Sequence, residues 1–446
     1  MTLNNKYFVK DVEVLKVLAK YILADGFDLV VDMQKSGGAT VFDKRNGRKF
    51  IDFFTAFASM PLGWNHKKIN TEEFRNHIGT TAINKPSNAD MYTEEMATFV
   101  NTFFNVAVPD YFKYSFFVQG GALAVENSLK AAFDWKVRQN FRKGCTSEKG
   151  HKIIHFKEAF HGRSGYTLSL TNTDPVKTDF FPKFDWPRIT NPKVTFPLKE
   201  KNLENVILLE NLAIEEMKTA FQKNKDDIAA IIIEPIQGEG GDNHFRNEFH
   251  QSLRELATEN EALFIYDEVQ TGIGLTGKMW AHEHFDVIPD IICFGKKMQT
   301  CGILATNKID IEPENVFKVS SRINSTWGGN LVDMVRATRY LEIIEEDNLL
   351  ENVQRQGKKI MDKLNQLTEI YPEILSNPRG LGMFCAFDFI NADLRNQFRS
   401  ICWENGLIIL ACGDKSIRFR PPLCLNDQEF EEGFEIIEKV MIELVN

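Results

Sequence analysis

No stretch of this chain approaches the ~18 consecutive apolar residues that a bilayer-spanning helix needs, which excludes such a span. Positive charge is in short supply: 53 Lys plus Arg stand against 62 Asp plus Glu, a formal net charge of −9. With no basic stripe to offset that balance, a nucleic-acid partner is not expected. Cysteines are few and solitary. The seven residues at 145, 293, 301, 385, 402, 412 and 424 form no CxxC pair, so neither a disulfide framework nor a zinc site is suggested. A reducing cytoplasm is the expected compartment. The opening MTLNNKYFVKDVEVLKVL lacks a basic cluster, an apolar core and a small-residue cleavage site, so it does not read as a secretory signal. Internal repeats and low-complexity tracts are missing as well. Tyr and Trp are scarce, 9 and 6, beside 36 Phe; the Phe surplus reads as core packing in a chain long enough to bury one.

What the 446 residues do contain is alternation. Short β-branched runs alternate with amphipathic stretches through the middle of the chain, the pattern of βαβ units around a mostly parallel sheet. Strands are expected at KYSFFV (113–118), KIIHF (152–156), IAAIII (228–233), ALFIY (262–266) and DIICFG (290–295). Gly120-Gly121 opens a helix through ALAVENSLKAAFDWKV, and another helix is expected at FHQSLRELATEN. Toward both ends, shorter strands (ATVFD, KFIDF, CAFDF, LIILAC, SIRFR) alternate with helices. The expected architecture is α/β: a large, mostly parallel-sheet domain over 71–325, and a smaller α+β domain assembled from 1–70 and 326–446. At roughly 150 residues per domain, the length is compatible with that division.

In open α/β sheets, ligands sit beyond the carboxyl ends of the strands, so the residues just past each strand matter most. In order these are Gly120-Gly121-Ala122, then Phe160-His161-Gly162-Arg163, then Glu234, Gln237 and Glu239, then Asp267, Glu268 and Gln270, and last Gly295-Lys296-Lys297. Asp267 ends an apolar strand, where an unpaired carboxylate is costly to bury. Pyridoxal phosphate needs a lysine amine for its aldehyde and an acid to keep its pyridine nitrogen protonated; Lys296 and Asp267 supply both. The glycine pair at a helix start offers free N–H groups and a positive dipole end for a phosphate. Phe160 could stack on a ring, and Arg163 could clamp a carboxylate through two hydrogen bonds. Each has a plainer alternative: a structural ion pair for Asp267 and Lys296, a tight turn for the glycines, core packing for Phe160 and a solvated surface for Arg163. Gly272-Ile-Gly274-Leu-Thr-Gly277 matches the GxGxxG fingerprint of dinucleotide binding. However, Asp267 through Thr271 separate it from its strand, and the next strand ends in Gly-Lys-Lys. His282-x-His284 has no third ligand placed beside it, so no metal site is expected.

Together AFHGRSGYTLS (159–169), IIIEPIQGEGG (231–241), YDEVQTGIGLTGKMWAHEHF (266–285), PDIICFGKKMQ (289–299) and STWGGN (325–330) carry a resemblance. In order and spacing they resemble the class III (ω-amino acid) branch of the fold-type I pyridoxal-phosphate aminotransferases. The resemblance spans most of the chain and implies pyridoxal 5′-phosphate as cofactor. It implies Lys296, directly after Gly295, as the Schiff-base lysine rather than Lys297, with Asp267 on the pyridine nitrogen and Gln270 near the ring's phenolic oxygen. Phe160 and Val269 would sandwich the ring, Gly121 and Ala122 would seat the phosphate, and Glu234 would belong to the cofactor pocket. Thr326 would reach the phosphate of the other subunit, which implies a homodimer with shared active sites. Gln270 and Asn324 would lie on the substrate side.

Three departures from the branch narrow the resemblance: Gln119-Gly120-Gly121-Ala122 in the phosphate turn, Leu275 in the glycine loop, and Lys297-Met298-Gln299-Thr300-Cys301 after the lysine. With HGRSGYTLSLTNTDP and RFRPPL, they resemble a subgroup acting on the ε-amine of L-lysine with 2-oxoglutarate as acceptor. In that reading Arg163 would bind lysine's α-carboxylate and Arg420 the α-carboxylate of the oxo acid, while Glu239 would cover Arg420 when lysine is bound. A lysine amine is mostly protonated at neutral pH, its ordinary pKa being ~10.4, so a desolvated, cation-rich pocket is expected around Lys296. Another ω-amino donor (ornithine, 4-aminobutyrate or a diamine) is the alternative, and a nicotinamide-dependent dehydrogenase the remote one. No membrane partner is expected.

Overall fold

The runs IAAIII and LFIY are apolar throughout because both become interior strands covered on both faces. The computed structural model describes residues 6–445; residues 1–5 of the expected N-terminal segment, and Asn446, lie outside it. In chain order the strands are β1 (Thr40–Phe42), β2 (Lys49–Asp52), β3 (Phe112–Val118), β4 (Lys152–Phe156), β5 (Arg188–Ile189), β6 (Ile228–Ile233) and β7 (Leu263–Asp267). Next come β8 (Ile291–Phe294), β9 (Cys301–Thr306), β10 (Leu375–Leu381), β11 (Phe384–Phe389), β12 (Leu407–Ile408), β13 (Leu410–Cys412) and β14 (Ser416–Phe419). The large sheet has the order β3-β9-β8-β7-β6-β4-β5. All its strands run the same way except β9, which pairs antiparallel with both β8 and β3. All five expected central strands are present. The strand CGILAT after the lysine turn, and the two-residue β5, come in addition.

Alternation along the strands feeds two cores. Ile231 and Ile233 of β6 join Phe249 and Leu253 of the helix Asn247–Glu259. Ala230 and Ile232 instead face Val125, Leu129 and Ala132 of the helix Gly121–Arg142. That helix buries the residues spaced four and three apart that its pattern presents to the sheet. Much of the Phe surplus packs inside, as in the contact between Phe103 and Phe294, whose ring centroids are 5.2 Å apart. Both chain ends meet in a second unit. β12 pairs in parallel with β2, Leu407 opposite Ile51, while β10, β11, β14 and β13 form an antiparallel sheet. This unit covers the carboxyl edge of the large sheet: the backbone N–H of Gly413 donates to Glu239 C=O at 2.9 Å.

Candidate active site

Register decides which groups meet at that edge. Asp267 stands opposite Cys293 on β8, so the turn at Gly295–Lys297 begins just beyond the acid. Asp267 is almost fully buried; His161 Nδ1 lies 2.8 Å from its Oδ2, and Val269 N donates to Oδ1 at 3.0 Å. His161, also buried, has no partner for Nε2 among the described residues. No role had been assigned to this histidine from the sequence, although it stands between Phe160 and Gly162. Glu234 accepts hydrogen bonds from Phe160 N at 2.9 Å and Gly238 N at 3.0 Å. Burial pushes its carboxyl up to about 7. With each oxygen on a backbone N–H, Glu234 braces the loop that carries Phe160. Phe160 and Val269 are only partly buried, unlike the core around them. Gly121 leaves room for Val269: a Cβ there would lie 2.7 Å from Val269 Cγ1. Gly120, at φ +101, faces open space just before the helix that begins at Gly121. Ala122 packs under Gly162, where an added Cβ would come within 2.5 Å of the alanine methyl.

The two adjacent lysines differ sharply. Lys297 is buried and its Nζ donates to Gln270 C=O at 2.6 Å. The Lys296 amine has no hydrogen-bond or ion-pair partner among the described residues. Burial, and then the guanidiniums of Arg418 and Arg420, pull this amine down to about 8. Left-handed backbone collects around it: Lys296 has φ +47 and Gln299 φ +63. Thr55 through Ala58, with φ between +40 and +62, end beside Ser59, whose C=O accepts from Gln299 Nε2 at 2.6 Å. Strain of this kind is held only where surrounding structure over-determines it, as at functional sites.

The arginines correct one sequence expectation. Glu239 does not pair with Arg420. Its Oε2 accepts from Arg418 at 2.7 Å and its Oε1 from Lys177 at 2.7 Å. Burial opposes ionisation of Glu239, but Arg418 and Lys177 outweigh it and hold its carboxyl below the usual value. Arg420 is instead claimed by Asp242 through two hydrogen bonds, 2.9 and 2.6 Å, with both side chains fully buried. The guanidinium of Arg420 also lies 3.5 Å from the Phe384 ring centroid and donates to Gln270 Oε1 at 2.9 Å. Arg418 and Arg420 are two residues apart and point to the same side of the chain, so spacing alone could not separate them; the buried Asp242 does. Arg163 is exposed and unpartnered among the described residues. Asn324 and Thr326 are exposed, and Asn324 Oδ1 accepts, among the described residues, only from the neighbouring Ser325 N. His282 binds Glu268 and Tyr111 through its two ring nitrogens, and His284 binds Thr276. The GxGxxG glycines form a packed turn: a Cβ on Gly272 would lie 2.7 Å from the Trp280 ring.

The family described as aminotransferase class-III matches residues 23–441. The chain belongs to the class-III aminotransferases. This class-III aminotransferase is 46% identical over 427 residues to the L-lysine-epsilon aminotransferase of Mycobacterium tuberculosis H37Rv, covering 96% of this chain and 94% of the relative. It is 32% identical over 435 residues to the mitochondrial 4-aminobutyrate aminotransferase of Mus musculus, covering 93% and 85%. The solved lysine aminotransferase from M. tuberculosis, in its internal aldimine form, superposes with a TM-score of 0.95 at 45% identity over 98% of this chain and 100% of that one. The family implies pyridoxal 5′-phosphate, and the residues fit it. The open turn at Gly120, the unpartnered Lys296 amine and the His161-supported Asp267 match its phosphate, aldehyde and pyridine nitrogen. Only a neutral amine attacks an aldehyde. Uptake of the cofactor by the bare class-III aminotransferase should therefore accelerate with pH and level off above about 8. A rate still climbing toward pH 10 in stopped-flow absorbance would contradict the depressed amine.

Proposed function

We propose that the chain is a transaminase that moves the ε-amino group of L-lysine to 2-oxoglutarate. The products are 2-aminoadipate 6-semialdehyde, which cyclises onto its own α-amine with loss of water, and L-glutamate. The observation that carries this reading is the masked guanidinium: Arg418, 3% exposed, is covered by the partly exposed Glu239, beside the free Lys296 amine. Such a site accepts a reacting end without a carboxylate, the ω-end of an amino acid. Lysine, rather than another ω-amine, is supported by the names and identity of the nearer relatives.

Pyridoxal 5′-phosphate, when bound, would supply an electron sink that lets a C–H bond beside the transferred nitrogen break. Lys296 would hold its aldehyde, Asp267 its pyridine nitrogen, Phe160 and Val269 the two ring faces, and Gly121 and Ala122 the phosphate through backbone N–H groups. Lys296 Nζ, released, would carry the proton from the ε-carbon; an amine near 8 is a competent base close to neutral pH. Gln270, fixed by Arg420, would orient toward the ring's oxygen. Arg163 would take lysine's α-carboxylate and the distal carboxylate of 2-oxoglutarate. Arg418, uncovered by Glu239, would take the α-carboxylate of the oxo acid, the role expected from sequence for Arg420.

We infer a homodimer in which Thr326 of each copy reaches the phosphate of the other's site, a reading supported by its exposure, with Asn324 on the substrate side. We likewise infer domain limits near residues 70 and 325, supported by the sharing of sheets between the two chain ends. Among the described residues no helix is long and apolar enough to cross a membrane. All seven thiols are free, which supports a cytoplasmic enzyme. Absorbance changes of the holoenzyme on mixing with L-lysine, ornithine or 4-aminobutyrate test the donor. Lysine should react fastest; a faster response to either competitor would overturn the assignment, and a colourless protein that binds NADH would overturn the reaction class.

A further inference from the structure

The Glu239–Arg418 pair has a third member, delivered from a loop. Lys177 ends the one-turn 3-10 helix Pro175–Lys177. That turn is set by Pro175, which fixes its own φ, and by the Asp174 carboxylate, which accepts from Val176 N at 3.0 Å. Lys183 Nζ ties the following residue down through Thr178 C=O at 2.7 Å. A lysine in TNTDPVKTD reads as solvated, yet its ammonium turns inward. It donates to Glu239 Oε1 at 2.7 Å and lies 5.7 Å from the Phe160 ring centroid, within cation–π reach. One cation therefore sits on each oxygen of Glu239.

The two cations are not equivalent. Arg418 is an interior residue of β14, whereas Lys177 and Glu239 are 24% and 27% exposed. Lys177 also sits on a long flexible stem, next to the fully solvent-facing Val176. An α-carboxylate can reach Arg418 only when Glu239 leaves it. A carboxylate displaced within a half-buried pocket and left without a counter-charge would be strongly disfavoured. A carboxylate that keeps one ammonium while it moves toward solvent is not.

We propose that Lys177 is a positioning residue that retains Glu239 as it swings off Arg418, opening the guanidinium to the α-carboxylate of a dicarboxylic oxo acid. The proposal rests on the transaminase reading and deepens it, because it assigns Lys177 to the acceptor side of the exchange. Only ion pairs change; no covalent bond is made or broken.

The test uses holoenzyme carrying Lys177→Met, which keeps length and removes charge. Two readouts are taken: the Kd of glutarate, an unreactive dicarboxylate, by calorimetry, and KM for 2-oxoglutarate against kcat. Both Kd and KM should rise about tenfold, the scale of one charge-assisted hydrogen bond at a partly exposed site, with kcat moving less than about threefold. Lys177→Arg should recover most of the loss. Unchanged or tighter glutarate binding, a loss confined to kcat, or a Lys177→Arg variant as impaired as Lys177→Met would each overturn the proposal. Glutarate binding needs no turnover, so this result stands apart from the donor half-reactions that test lysine itself.

Discussion

Lys296→Ala should lower turnover by at least about 10⁴-fold, because one substitution removes the group proposed both to hold the cofactor and to move the proton. Borohydride treatment should then leave no cofactor attached to the chain, whereas the wild-type protein should retain it on the peptide that contains residue 296. The neighbouring lysine supplies the contrast. Lys297→Met removes the donor to Gln270 C=O and should cost stability, about 1–3 kcal/mol for the abandoned buried carbonyl, while leaving the borohydride-stable attachment in place. Stability should move the opposite way for Lys296→Ala in the cofactor-free protein. The folded-state amine is depressed to about 8, below its value in the unfolded chain, so at neutral pH the folded state strains to hold a proton that the unfolded state binds freely. Removing the amine should raise the unfolding midpoint at pH 7. The gain should fade as pH rises from about 8 toward the ordinary lysine value of ~10.4, where the amine is neutral in both states. Attachment retained in Lys296→Ala, or lost in Lys297→Met, would reverse the assignment of the two lysines.

The strands that carry this site were readable because each is a short run rich in apolar and β-branched or aromatic residues, wholly apolar in β6 and β8, and because the residues just beyond each run are polar or glycine. Asp267, Lys296 and the glycines before Ala122 were found in that way, with no knowledge of which strands are neighbours. The features that escaped did so for definable reasons. CGILAT is as apolar as its neighbours, but it comes so soon after the lysine turn that nothing marks a separate strand; it reverses direction and pairs with β8. β10 carries Pro378 and Gly380 and breaks register between Ser376 and Arg379, so its residues read as a loop. His161 lies beside Phe160 in sequence, yet its contact with Asp267 spans 106 positions. Arg420 and Asp242 lie 178 positions apart, so no local pattern pairs them. Long-range pairing of charges is invisible to patterns of hydrophobicity, which carry the fold but not the polar network that discriminates Arg418 from Arg420.

That network has its own test, the largest expected on stability. Asp242→Ala would leave the Arg420 guanidinium fully buried with, among the described residues, only Gln270 Oε1 and the Phe419 C=O to accept from it. Breaking a buried pair by removing one partner costs about 3–5 kcal/mol, because an uncompensated charge stays behind. Denaturant midpoints of the cofactor-free chain should fall accordingly. Asp242→Ala with Arg420→Met removes both charges, and the methionine can still pack on Phe384. The double variant should therefore be more stable than Asp242→Ala alone, with a coupling of about 1–3 kcal/mol between the two positions. Activity should not track stability. With Arg420 gone, Gln270 loses its nearest donor, at 2.9 Å, and keeps only the weaker approach of Arg418 at 3.4 Å. The double variant should fold well and turn over poorly, with its defect in Gln270, proposed to face the cofactor, rather than in recognition of the oxo acid. If Asp242→Ala alone were as stable as the wild type, Arg420 would have to be free to reach solvent. The α-carboxylate would then have two candidate guanidiniums rather than one.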